Sequence, residues 1–177
     1  MNEIVKKNGI TFGLISGLIS VLITTLVYTI NLELFTKWWL GIITIAISLT
    51  LSIMLMVKTK KEVKDQFTFK NAFTTYFIYT VIGILISVLF NIVLFNFIDT
   101  EAKETIKELT IRFSMEIMEK FNTPKEIMKE SLKQMEAEDQ FGIASQIKGL
   151  FFSIAFSAVF GLILAAIFKS KNTNQGF

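Results

Sequence analysis

The side chains able to do chemistry in this chain are carboxylates, hydroxyls, amides and lysines, because its 177 residues include no His and no Cys. That removes a histidine general base, a cysteine nucleophile, nitrogen- or sulfur-ligated zinc, haem held by either residue, and disulfides. Asp99 and Glu33 are carboxylates beside long apolar runs. An enzyme built on them would need a shaped, partly dry pocket, and they fall in short or solvated turns. Glu136, Glu138 and Asp139 cluster but lack the Asp-x-Asp-x-Asp-Gly spacing of a calcium loop, so they read as a solvated acidic face. One Arg, Arg112, stands against 17 Lys, whereas phosphate and nucleic-acid recognition favours the planar Arg fork. There is no glycine-rich phosphate loop and no internal repeat. The expectation is a non-enzymatic chain with no catalytic residues, cofactor, metal or nucleic-acid partner.

What positions these groups is the spacing of charge. Charged residues make up 19% of the chain and apolar residues 52%, against about 25% and about 45 to 50% in soluble domains. The charges leave four uncharged runs, 8–32, 38–57, 71–98 and 149–168, of 25, 20, 28 and 20 residues. At a 1.5 Å rise, about 20 helical residues cover the roughly 30 Å hydrocarbon layer. The sequence therefore predicts one membrane domain over 1–177, an all-α four-span transmembrane bundle whose first partner is the lipid bilayer. The first run is too long for the apolar core of a signal peptide and exits through Val27-Tyr28-Thr29-Ile30-Asn31 without a small-x-small site, so it is expected to be retained. The third run holds 17 Leu, Ile, Val or Phe residues, on the order of 5 to 10 kcal/mol in favour of insertion.

Lysine sets the expected threading. The amino end, the loop 58–70 and the carboxyl tail share one side and carry nine Lys (6, 7, 58, 60, 61, 64, 70, 169, 171) in 29 residues. The other side has nine basic residues in 55, and within 15 residues of a span the comparison is nine against five. Cytoplasmic loops are the Lys-rich ones, so both termini are expected in the cytoplasm and 99–148 outside the inner membrane. Tyr28, Trp38 and Trp39 then fall at the outer interface as anchors, while Tyr76 and Tyr79 mark the inner one. Lys58, Lys60, Lys61 and Lys64 serve this topology and meet anionic head groups with it.

Small residues recur every fourth position: Gly9, Gly13 and Gly17 in the first run, Gly149, Ser153, Ser157, Gly161 and Ala165 in the fourth. Weaker series are Thr44, Ser48 and Ser52 in the second, and Gly83, Ser87 and Asn91 in the third. Positions i and i+4 share a helix face, so each series is a smooth groove for a close backbone. Packing inside the bundle uses such faces; docking a second copy or another membrane protein would use them too. Asn91 is the most polar side chain well inside a run and is expected to bond Ser or Thr of a neighbouring helix, with a place in a permeation path as the other reading. No Asp, Glu, Lys or Arg lies at membrane depth, and intramembrane ionisable groups are the usual mark of coupled transport.

Residues 99–148 carry 11 acidic and eight basic side chains. Ala102, Ile106, Leu109, Phe113, Ile117 and Phe121 follow helical spacing, with Glu108–Arg112 and Glu116–Lys120 four apart on the surface. After Asn122, Thr123-Pro124-Lys125-Glu126 reads as a capping-box start for a second helix, striped by Met128, Leu132 and Met135. This predicts a helix-turn-helix excursion leaning on the membrane boundary or on the span ends. Its Met residues at 115, 118, 128 and 135 read as filler beneath the hairpin, with an adaptable docking surface as the alternative.

Phe67-Thr68-Phe69-Lys70-Asn71-Ala72-Phe73 leads into the third run, Phe97-Ile98-Asp99 leads out, and Gly161-Leu162-Ile163-Leu164-Ala165-Ala166-Ile167-Phe168-Lys169 ends the fourth. In this order, around an acidic Met-rich excursion, they resemble the uncharacterised bacterial membrane proteins of the domain-of-unknown-function family numbered 4199, found chiefly in the Bacteroidetes. The resemblance covers nearly the whole chain and implies an inner-membrane location and no assigned activity. In the family pattern Pro commonly follows the Asp where this chain has Thr100, which implies a less rigid exit turn. On these grounds the function expected is association or envelope support through helix packing and the hairpin. The alternative is a small transporter or channel subunit whose path is lined by hydroxyls and Asn91.

Overall fold

A computed structural model describes residues 2–170. Lys171, counted above among the terminal-side lysines, lies outside the described residues. Among the described residues six α-helices follow one another: α1 (Glu3–Ile30), α2 (Trp38–Val63), α3 (Phe69–Val93), α4 (Thr100–Lys120), α5 (Lys125–Ala137) and α6 (Ile143–Phe168). Three-residue-per-turn helix over Leu32–Thr36 joins α1 to α2, and a widened π turn over Leu94–Ile98 ends α3. Four helical stretches, led by α1, α2, α3 and α6, are long and apolar enough to cross a membrane. The chain is an all-α four-span bundle.

Three of the long helices outrun their uncharged runs at one end, α1 starting at Glu3, α2 continuing to Val63 and α6 beginning at Ile143. Charge marks where lipid depth ends, and a helix whose backbone bonds are internal continues into water. Caps set the ends instead. Asn2 accepts from the Ile4 N–H, Asn31 both closes α1 and accepts from Glu33 N–H, and Thr68 accepts from Asn71 N–H to open α3.

The centre of the bundle is α3, which packs most extensively on α1 and next on α6. The approach of α1 is set by glycine. A Cβ placed on Gly9, Gly13 or Gly17 would stand 2.9, 2.8 or 2.6 Å from atoms of Ile78, Ile82 and Ile86, inside any real contact. Three turns of α1 thus seat three β-branched side chains of α3 where another residue would hold the helices apart. At α6 only the terminal-side half of the small-residue series behaves this way. Gly161 lies against Tyr76, Ala165 is fully buried, and Ser157 Oγ is 3.2 Å from the Tyr76 hydroxyl. Gly149 and Ser153 are exposed, with nothing within 4 Å of a Cβ on Gly149. The expectation that they pack a helix inside the bundle is corrected here, because the buried residues of α6, Gly161 and Ala165, both lie in its carboxyl half.

Two packed cores result, one at each end. Near the termini, Val5, Phe12, Leu55, Met56, Phe67, Ala72, Tyr76, Tyr79 and Ala165 interlock. Asn8 Nδ2 donates there to Thr59 Oγ1 at 3.2 Å and Glu62 Oε2 at 2.7 Å, and Ser170 closes onto the Phe67 and Lys64 carbonyls. Tyr76 and Tyr79 therefore sit inside the core, 8% and 3% exposed, and do not mark an interface. Their hydroxyls bond Ser157 and Ser48, which lets the rings pack inward instead of reaching for head groups.

Candidate functional site

At the far end a second core ties the hairpin to the spans. Phe95, fully buried in the π turn, meets the rings of Phe141 at 4.4 Å, Phe35 at 5.9 Å and Tyr28 at 6.4 Å. Leu94, Ala102 and Ile106 complete the buried set. The extra residue of a π turn re-aims the side chains that follow it, and Asn96 uses that turn to donate to the Phe141 carbonyl at 2.8 Å. Tyr28 is drawn into this cap. Its hydroxyl donates to Asp99 Oδ2 at 2.7 Å, so the ring anchors the hairpin and not the lipid interface, while Trp38 (71%) and Trp39 (42%) remain exposed at the start of α2.

Asp99 holds the exit turn from both sides. Its Oδ2 takes the Tyr28 hydroxyl and its Oδ1 takes the Ala102 N–H, capping α4. The Tyr28 bond first and the backbone bond second hold its carboxyl below the usual carboxylate range, against a smaller opposing effect of burial. Thr100 occupies the first helical position, which favours Pro, and the cap fixes the turn without it. At Asp139 burial pushes the carboxyl up, but the Lys103 ammonium at 2.8 Å and the Gly142 and Phe141 backbone N–H groups together outweigh it, and the group ends below its ordinary value. Lys107 donates to the Glu136 carbonyl at 2.6 Å, adding a second clasp between α4 and the end of α5.

Two local expectations change. Arg112 reaches across to Glu33 at 3.2 Å, not back to Glu108, because α4 lies beside the α1–α2 turn. The capping box at Thr123 does not form: Pro124 is the residue preceding α5 and no side chain caps it. The chain reverses one step earlier, where Asn122 takes a left-handed conformation (φ 51°) and Thr123 N–H bonds the Met118 carbonyl in a Schellman turn.

The path of α4 follows from its two anchors. Asp99 meets Tyr28 in the last turn of α1, and Arg112, thirteen residues on, meets Glu33 in the α1–α2 connection. At 1.5 Å per residue those anchors are about 20 Å apart along α4, so its first three turns are tied to the turns at the ends of the first three spans. Beyond Arg112 the apolar stripe buried at Ala102 and Ile106 continues unpartnered through Ile117 and Phe121, the latter 81% exposed, with Ile127 of α5 beside the turn at 52%.

Between the two cores the bundle is open. Ser16, Ser20 and Thr24 of α1, Thr44 and Ser48 of α2, and Ser87 of α3 line, together with Ile19, Ile23, Ile47 and Leu51, a cleft of about 270 Å³. The cleft exists because α2 buries residues only from Ser52 onward and leans away before that. It shares Ile23, Thr24 and Thr44 with a second hollow of about 430 Å³ that reaches Thr36, Lys37 and Trp38 at the hairpin end. Toward the termini it stops at Tyr79, whose hydroxyl donates to the Ser48 carbonyl at 3.1 Å. Asn91 does not make the interhelical bond expected of it. Its Oδ1 and the Thr80 Oγ1 are buried without a hydrogen-bond partner. The amide pairs that do form, Asn8 with Thr59 and Asn96 with Phe141, join residues 51 and 45 apart, which no local pattern announces.

Among known proteins, the family model described as "Protein of unknown function (DUF4199)" matches residues 11–170. No curated protein and no solved structure matches the chain.

Proposed function

The chain belongs to the DUF4199 family, and from that premise, which assigns no activity, we propose that it is a non-enzymatic multi-pass protein of the bacterial inner membrane. In this reading both termini are cytoplasmic and 99–148 is periplasmic, supported by the nine terminal-side lysines. The spans form a packed platform, and the working part is the hairpin, which associates with the outer leaflet. The observation that carries this is the α4 stripe. It is buried at Ala102 and Ile106, where α4 meets the turns at the span ends, and continues exposed through Ile117 and Phe121. An amphipathic helix at that height buries its apolar face in the head-group region. The α1 glycines are already occupied by α3, so lipid contact by the hairpin is a better supported mode of association than a second copy docking on that face.

Attaching an environment-sensitive fluorophore to Phe121→Cys in nanodiscs tests this, since the native chain has no Cys to compete. Blue-shifted emission, quenched by spin-labelled lipid, is the expected result, with water-like emission from the same probe on Glu130→Cys. Identical water-like emission from both would refute the lipid contact.

A second reading, a small transporter or channel subunit, is favoured by the hydroxyl-lined cleft and the unpartnered Asn91. Its mark would be solute flux into liposomes that Asn91→Leu abolishes.

A further inference from the structure

The cleft between α1, α2 and α3 has a polarity that neither hairpin docking nor bundle packing uses. Its hydroxyls come from three helices and face one space, Ser16, Ser20 and Thr24 by their spacing of four and Thr44 with Ser48 likewise. Ser87 of α3 adds a further hydroxyl from the third helix, and none of Ser20, Thr24 and Ser87 is committed to a hydrogen bond with another helix. In hydrocarbon such groups are stable only when something supplies their hydrogen bonds.

The lining selects the occupant. Below Lys37 at the rim no ionisable side chain lines the cleft, so an ion entering it would lose hydration without meeting a counter-charge. Thr44 bonds the Gly41 carbonyl and Ser48 faces the Tyr79 hydroxyl, but an acyl chain would offer nothing to Ser20, Thr24 and Ser87. A neutral molecule bearing several hydroxyls can donate to and accept from all of them. The space of about 270 Å³ is that of about nine waters at roughly 30 Å³ each, which suits a monosaccharide-sized solute. The hollow shared with Thr36, Lys37 and Trp38 is its way in from the hairpin side, and Tyr79 bound to Ser48 is its floor.

We propose that this cleft is a hydrated binding pocket for an uncharged, polyhydroxylated solute of monosaccharide size. The pocket is closed toward the termini, so it binds whether or not the solute crosses, and its failure would leave the hairpin reading untouched.

Single cysteines in the native cysteine-free chain test it in nanodiscs with a charged, water-soluble methanethiosulfonate, which reacts with thiolate in water and not with a thiol in lipid. Ser20→Cys and Ser87→Cys are expected to label at least about tenfold faster than Leu18→Cys and Leu22→Cys on the outer surface of α1. Glucose or sorbitol is expected to slow the first pair saturably, and sodium gluconate to have no such effect. Thr24→Cys stands in for any cleft variant whose melting differs from the wild type. Equal labelling of cleft and surface variants would show a lipid-filled groove and overturn the proposal. Fast labelling that neither glucose nor sorbitol slows would overturn it equally, leaving a wet cleft without a polyol site.

Discussion

The double substitution Gly13→Ile and Gly17→Ile is expected to destabilise the bundle by about 2 to 6 kcal/mol, since overpacking costs about 1 to 3 kcal/mol at a single site. At Gly17 a Cβ would stand 2.7 Å from Ile86 Cβ, and at Gly13 2.8 Å from Ile82 Cβ and 3.0 Å from the Tyr79 carbonyl. Neither neighbour is the free end of a flexible side chain, so relief requires α1 to move off α3. The largest interface in the bundle would open. The readout is the unfolding midpoint in detergent, with Gly149→Ile as the control because nothing lies within 4 Å of its Cβ. Equal midpoints for the double variant and the wild type would show that the two helices do not meet as described. A folded double variant that lost only its crosslinked assemblies would instead make the glycine face an intermolecular one.

Phe95→Ala carries the second large effect. The ring is fully buried against Tyr28, Phe35 and Phe141, and emptying such a site costs about 3 to 5 kcal/mol. The damage is expected to be local, because Phe95 belongs to the hairpin-side core and not to the one near the termini. Trypsin should then cut at Lys120 and Lys125 many times faster than in the wild type while the spans stay intact. Phe156→Ala, whose ring is 60% exposed on α6, should leave the cleavage rate unchanged. Unaltered hairpin cleavage in Phe95→Ala would mean that the cap does not hold α4.

Spans were the most legible feature because one physical quantity, the length of chain without charge, decides them. The α4 stripe was legible for a similar reason, since a period near 3.6 belongs to the helix alone. What periodicity marks is a face, and it leaves the neighbour open. The series at Gly9, Gly13 and Gly17 could be seen, but Ile78, Ile82 and Ile86 as its counterpart could not. The fourth-span series read as one stripe, yet Gly149 and Ser153 are bare where Gly161 and Ala165 are covered, because the lean of α6 is a tertiary fact. Tyr28, Tyr76 and Tyr79 have the chemistry of interface anchors, and each hydroxyl found a partner on another element, at Asp99, Ser157 and the Ser48 carbonyl. The cleft was half visible. Its serines and threonines stood in the sequence at spacing four, but the divergence of α2 that opens a space among them did not.

The threading of the four spans, with the hairpin outside and the termini inside, is the claim on which the rest depends. Labelling whole cells with a membrane-impermeant maleimide measures it directly in single-cysteine variants of this cysteine-free chain. Lys125→Cys should label in intact spheroplasts, and Lys61→Cys only after the membrane is permeabilised. The reverse pattern, or labelling of both before permeabilisation, would contradict the account.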